Sequence, residues 1–236
     1  MIDINFKMYS DANGKDPDFA SPTLRDYHRI LWSKKLPNGS QFELKTNKSG
    51  FYLWHHSELG EYSLGSDAIT HSYRKHKSKK WLTEQLTNQV NSVFEIGSTI
   101  GGYIVFPNKQ VNRKYTINQE RGVNKLIDDR FDLTLECIKR FYKGEDSPLY
   151  AVLNRYKDYF NLFGDFKGYI DFFLLQDLVD DNYNIKFYLP FNDFQTPPNF
   201  EKIEDYLTYK NGVEIFVSFR NKRILEHTSK ILESTY

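Results

Sequence analysis

Between Gly97 and Tyr142 the chain passes through a short apolar run, a polar stretch and its longest periodic segment. Tyr103-Ile104-Val105-Phe106, bounded by Gly101-Gly102 and Pro107-Asn108, predicts a buried strand. From about Thr116 the apolar positions take a helical period. At 100° per residue Val123, Leu126, Ile127, Phe131, Leu133, Leu135, Cys137, Ile138, Phe141 and Tyr142 fill an arc of about 200°. That is wider than a surface helix needs, so one largely covered helix is predicted up to Tyr142. Arg121, Lys125, Asp128, Asp132, Glu136 and Lys139 project from the opposite face. They read as a solvated face with pairs such as Glu136 to Arg140, although Asp132 and Glu136 also resemble paired carboxylates for a metal or acid–base chemistry. Arg130 projects into the apolar arc, where a guanidinium needs a partner.

Other segments follow the same logic. Ile2, Ile4, Phe6 and Met8 alternate and predict a first strand. The polar loop from Ser10 to Ala20 has a D-x-N-G-x-D spacing but lacks the distal Glu of a calcium loop. Ser21-Pro22 starts a helix carrying Leu24, Tyr27, His28, Leu31 and Trp32, which stops at Pro37-Asn38-Gly39. His28 lies on its apolar side and reads as a hydrogen-bonded core histidine. Phe42 and Leu44 with Phe51 to Trp54 predict a hairpin. His55 and His56 point to opposite faces of a strand, and no zinc spacing is present. The run His71 to Trp81 holds five Lys or Arg, two His and no acid. It reads as a solvated loop, with contact to phosphate or an acidic partner as the functional alternative. Ser78 is a candidate cap for a helix bearing Leu82, Leu86, Val90 and Val93.

Ser147-Pro148 predicts another helix, with Leu149, Val152, Leu153, Tyr156, Phe160 and Phe163 on one stripe. Gly164 to Gly168 breaks it. Tyr169 to Val179 is apolar nearly all round yet contains Asp171 and Asp177. Leu175 and Leu178 would cover Asp171, so Arg130 is expected to pair with Asp171 or Asp165 inside a helical half-core; these three and, separately, His28 are the expected buried polar residues. Ile185 to Leu189 predicts a strand. Glu201 to Lys210 predicts a helix interrupted at Asn211-Gly212, before a last helix from Val213. The expected fold class is α+β, a β-rich N-terminal half with a small mixed or antiparallel sheet packed against a helical C-terminal half. A single domain is expected over 1–236, β-rich to about 110 and helical from about 111.

Composition changes this picture in one respect, its aromatic content of 19 Phe, 17 Tyr and 3 Trp, enough to leave some rings for interfaces or base stacking. The net charge of +1 divides into 16 Lys and Arg against 11 Asp and Glu before residue 119, and 16 against 20 after it. This asymmetry is too small for a dedicated nucleic-acid binder. Cys137 is the sole cysteine and reads as packing. With no leader pattern and no apolar run long enough to span a bilayer, a cytoplasmic protein without membrane contact is expected.

The blocks DPDFASPTLRDYHRILWSKKLPNG (16–39), IGGYIVFPN (100–108), TINQERGVNKLIDDRFDLTLECIKRFY (116–142) and SPLYAVLNRYKDYFNLFGDFKGYIDFFLLQDLV (147–179) resemble a family of bacterial proteins of similar length known as a domain of unknown function. The resemblance implies a single domain in a bacterial, intracellular setting. It brings no activity, cofactor or catalytic residue.

No nucleotide loop, nucleophile elbow, H-E-x-x-H or paired-cysteine site occurs, and Gly101-Gly102 lacks the rest of a dinucleotide fingerprint. No cofactor and no resident metal are therefore expected. The leading expectation is a phosphate-bearing ligand, nucleotide or nucleic acid, held by Arg113, Lys114, Tyr115, Asn118, Gln119 and Arg121 near the start of the central helix. A protein-interaction component, such as a regulatory or defence-system subunit, is the alternative and predicts an exposed aromatic patch. A metal-dependent hydrolase is third and needs Asp128, Asp132 or Glu136 to converge with Asp165.

Overall fold

The computed structural model describes residues 1–46, 53–57 and 60–233. Ser21 accepts from Leu24 N at 3.0 Å and Pro22 fills the first helical position, so the predicted start of α2 (Pro22–Trp32) stands, behind a one-turn α1 (Pro17–Ala20) capped by Asp16. A small antiparallel pair follows, β1 (Lys34–Lys35) with β2 (Gln41–Phe42). A second antiparallel sheet has the order β3 (Leu44–Lys45), β4 (Trp54–Ser57), β5 (Gly60–Ala68), β6 (Tyr103–Pro107). Leu44 lies opposite His55 and Lys45 opposite Trp54, while Phe51, Tyr52 and residues 47–50, on which much of the expected hairpin falls, lie outside the described residues. All five residues of β6 are buried.

Between β5 and β6 the chain forms α3 (Lys80–Gln85) and α4 (Thr87–Gly97), so among the described residues the N-terminal half also carries helices α1 to α4. Ser78 caps neither; its hydroxyl instead meets His76 Nδ1 at 3.0 Å. Helices α5 (Ile117–Val123), α6 (Phe131–Lys143), α7 (Tyr150–Arg155), α8 (Lys157–Asn161), α9 (Phe166–Phe173) and the long α10 (Ile203–Glu233) complete the fold, which is α+β. The stripe from Leu149 to Phe163 is buried, though α7 begins at Tyr150, after a turn closed by Ser147 O. Phe163 packs with Tyr159, Tyr169, Phe172 and Phe173 at centroid separations of 4.9–5.5 Å, and Tyr159 donates to Val105 O of β6 at 2.7 Å. Much of the aromatic content is thus the joint between sheet and helices.

Four expectations about elements need correction. Residues 2–8 form turns, not a strand: Phe6 N bonds Asp3 O, and Met8 N goes to Ser98 O at 3.0 Å. Ile185–Leu189 makes a single bridge, Val179 with Ile185, because Tyr188 N is drawn to the Asp132 carboxylate at 3.0 Å. Asn211-Gly212 does not interrupt α10. Gly212 is there for contact, since a Cβ would fall 2.7 Å from the Tyr188 ring. The central helix, finally, is two helices. Asn124 closes α5, its side chain accepting from Leu126 N at 3.0 Å, and Asp128 and Asp129 take φ values of +48° and +58°. Such side-chain bonds offer the backbone an alternative to helix.

This break resets the helical phase, so the projected solvent face is not continuous: Lys125 is exposed and Lys139 half-buried, but two of its members turn inward. Arg121 and Asp132 are fully buried; the expected pair of Glu136 with Arg140 is present at 2.9 Å. Arg130 is buried as expected, but as the residue before α6, and its partner is Asp132 in place of Asp165 or Asp171. Asp165 is exposed and caps α9 through Gly168 N at 2.7 Å. Asp171 keeps 41% of its side chain exposed beside Lys167. Helix α9 ends at Phe173, with Leu174 at φ +55°, so Leu175 and Leu178 never reach the positions that would have covered it.

The Gly101-Gly102 pair serves packing. A Cβ on Gly102 would fall 2.0 Å from Gly97 O, and one on Gly101 would strike Asn221. Arg220 of α10, which pattern reading passed over, is fully buried and donates to the carbonyls of Gly101, Tyr103 and Phe173 at 2.7–2.9 Å.

Candidate functional site

Two loops meet beside the ends of β5 and α5. The first leaves β5 at Ile69. Tyr209 of α10 clamps it, its hydroxyl accepting from His71 N at 3.3 Å and donating to His71 O at 2.7 Å. Tyr73 is buried at φ +59°. The second is the 124–130 break, with its two left-handed aspartates. The Tyr73 hydroxyl donates to Asp128 O at 3.1 Å and joins them. Positive φ is tolerated by Asp but uncommon for Tyr, and three such residues at one junction mark it as a place where backbone strain is held by its surroundings.

What holds it is charge. Asp129 meets Arg121 at 3.1 Å and His71 Nδ1 at 3.3 Å. Asp128 meets His76 at 3.7 Å and Lys79 at 3.8 Å, and Lys79 also donates to Asn199 at 2.8 Å. Arg121 spends its remaining donors on Thr134 Oγ1 at 3.0 Å, Ala68 O at 3.1 Å and Asp129 O at 3.3 Å. The two carboxyls move in opposite directions. Burial raises the pKa of Asp128, and Lys79, His76 and His71 offset this only in part. Burial also opposes ionisation of Asp129, but the Arg121 charge and the His71 hydrogen bond prevail and hold its carboxyl below the usual range.

The basic run is therefore folded inward over part of its length. Lys79 is buried, while Arg74, Lys75 and Lys77 stay exposed. Arg74 and Lys75, with His71, Thr70 and Ser72, line a cavity of about 280 Å³. Phe94 lines it too, with the Arg74 guanidinium 3.8 Å over the ring and Tyr9 stacked against that ring at 5.7 Å. Gly97 leaves room for Thr70, whose hydroxyl would lie 2.2 Å from a Cβ there. Cations and hydroxyls around a concave space suit a polyanionic group.

The expected ligand residues do not converge on this cavity. Arg113, Lys114, Tyr115, Asn118 and Gln119 are exposed, and none of them lines it. Gln119 is spent in the capping box of α5, accepting from Thr116 N at 3.0 Å. Arg121 alone of the six belongs to the junction, and it faces inward. The carboxylates considered for a metal have separate partners: Asp132 with Arg130, Glu136 with Arg140, and Asp165 with the start of α9. Among the described residues no group of three or more His, Cys, Asp or Glu could hold a metal ion.

His28 is a different kind of histidine. Trp32 donates to its Nδ1 at 2.9 Å and Ser66 Oγ lies 3.0 Å from Nε2, so both nitrogens are used. Burial, with the Arg220 charge, pushes its pKa down to about 3 and keeps it neutral. Cys137 is likewise buried, its thiol pushed up to about 12 by desolvation, which makes it inert packing.

A model of a family of unknown function, DUF6994, matches residues 2–224. The chain belongs to that family. No curated protein and no solved structure matches it. The DUF6994 match spans both loops of the junction, the cavity and the buried Arg220. No helix among the described residues is long and apolar enough to cross a membrane.

Proposed function

We propose that this DUF6994 protein binds a phosphate-bearing ligand, a nucleotide or a nucleic-acid strand, in the cavity beside His71. The observation that carries the reading is the lining: Arg74, Lys75, His71, Thr70 and Ser72 all line one concave space. Arg and Lys supply charge, and hydroxyls supply donors that fit phosphate oxygens. At about 280 Å³ the space admits a phosphate and part of what it is attached to, which suits the end of a larger molecule. The setting taken for this function is the bacterial cytoplasm, following the family resemblance.

The test is the melting temperature in the presence of inorganic phosphate, mononucleotides and short oligonucleotides. Ligands that bind only the folded state raise it. The expected result is a rise that weakens with salt, disappears in the R74A/K75A double variant and survives in R113A/K114A. A rise lost in R113A/K114A and kept in R74A/K75A would return the site to the 113–119 loop. A flat panel would overturn the reading. The competing interaction role has one observation in its favour: Ile215 and Phe219 are 57% and 52% exposed on the outer side of α10, beside a groove of about 440 Å³. It forecasts that flat panel.

A further inference from the structure

We infer that the protein hydrolyses a phosphate ester in this cavity with His71 as general base, an inference that rests on the phosphate-binding reading above. The argument is one of proton placement. Asp129 is held ionised beside Arg121, so it can only accept. His71 Nδ1, 3.3 Å from Asp129, must then carry the proton of the neutral ring. That leaves the Nε2 lone pair as the ring's open acceptor, on a side chain that is 33% exposed and lines the cavity. His71 Nε2 has no hydrogen-bond partner among the described residues, in contrast to His28, whose two nitrogens are spent on Trp32 and Ser66.

The imidazole is also fixed in place. The Tyr209 hydroxyl holds the His71 backbone on both its N–H and its carbonyl, and the Tyr73 ring meets the imidazole edge-on with centroids 4.5 Å apart. A carboxylate behind one nitrogen and an open lone pair on the other is the arrangement that orients a general base and stabilises the imidazolium that forms. Arg74 and Lys75 line the same cavity and supply the positive charge that stabilises negative charge building on phosphoryl oxygens. In the step, Nε2 takes a proton from a water as its oxygen bonds to phosphorus. The P–O ester bond breaks, and its electron pair leaves with the alkoxide. The imidazolium then returns the proton to that alkoxide, so the net change is ester plus water to alcohol plus phosphate. Asp129 is a positioning residue, acting through His71.

The experiment follows release of nitrophenolate from bis(p-nitrophenyl) phosphate and p-nitrophenyl phosphate by the purified protein, with the phosphate-induced melting shift measured on the same samples. Wild type is expected to turn over at least one of the two esters. H71Q is expected to lose roughly 10²–10⁴-fold in kcat, the usual value of a general base, while its melting shift falls far less than that of R74A/K75A. H71A should regain turnover with added imidazole, which a purely structural histidine would not allow. D129N should lower kcat with little change in KM. A melting shift without turnover above the H71Q background overturns hydrolysis and leaves binding standing, as does full turnover by H71Q. Absence of any phosphate-induced shift removes the binding reading itself.

Discussion

The stretches 71–81 and 112–119 look alike on paper, both crowded with hydrogen-bond donors, yet they end in different environments. The first is drawn inward at His71, Tyr73, His76 and Lys79. The second stays at the surface, its polar groups satisfied locally by the Thr116–Gln119 capping box and by turns in which Asn112 and Arg113 take φ of +52° and +59°. The difference lies in the partner. The side chains of the first stretch meet two carboxylates and Asn199, all from distant parts of the chain, whereas those of Arg113, Lys114, Tyr115 and Asn118 stay exposed. A count of donors says how much a segment can bond; only the remote acceptors decide which way it faces.

The largest test of this contrast is Arg121. Removing one member of a buried ion pair leaves the other uncompensated, at a cost of about 3–5 kcal/mol. Arg121→Met should show that loss in urea unfolding, because Asp129, Thr134 and the Ala68 carbonyl all lose their donor. Arg113→Ala should stay within about 0.5 kcal/mol, the range of ordinary surface changes. Equal effects would erase the distinction between the buried junction that holds the first stretch and the exposed 112–119 surface. Within the basic run, Lys79→Met should cost roughly 1.5–3 kcal/mol, the value of a hydrogen bond to or from a charged group. Lys79 serves both Asp128 and Asn199 under the rings of Tyr73 and Phe200. Lys77→Ala, two residues away and exposed, should be close to neutral.

The same contrast explains what pattern reading could and could not see. Ser21-Pro22, the stripe from Leu149 to Phe163, the buried strand at 103–107 and the buried states of His28, Arg130 and Cys137 follow from local rules, and the structure has them. The break at 124–130 was visible only as Asn124 with Asp128-Asp129, turn-formers that an apolar arc on both sides overrode. A single helix through the break puts the buried Asp132 on the polar face and assigns Arg130 to Asp171 or Asp165 instead of to its neighbour Asp132, while the covered positions Phe131, Leu133, Leu135, Cys137 and Ile138 are buried as expected. Arg220 carried no signal at all. Its partners are backbone carbonyls from three separate segments, and carbonyls are anonymous in a sequence. His71 stood inside a run whose charge was legible, but its pairing with Asp129 required both loops to be in place.

The smallest and most discriminating test separates the two neighbouring aspartates. Asp128 has its carboxyl raised by burial, so ionising it in the folded state is unfavourable. That cost is absent below the unfolded value of about 4 and grows as pH rises above it. Asp129 is held low by Arg121 and His71 despite its burial; its contribution is present above about 4 and fades as pH falls through its folded value. Asn keeps the shape and tolerates the left-handed backbone at both positions. D129N should therefore lose about 1 kcal/mol at pH 7, near the net worth of one hydrogen bond, and D128N should be neutral to slightly stabilising there. Measured by urea unfolding from pH 3 to 8, the two variants should converge on wild type at the acid end and diverge in opposite directions as pH rises. Parallel curves would mean that the junction treats its carboxylates alike. The positioning of His71 by an ionised Asp129 would then lose its electrostatic basis.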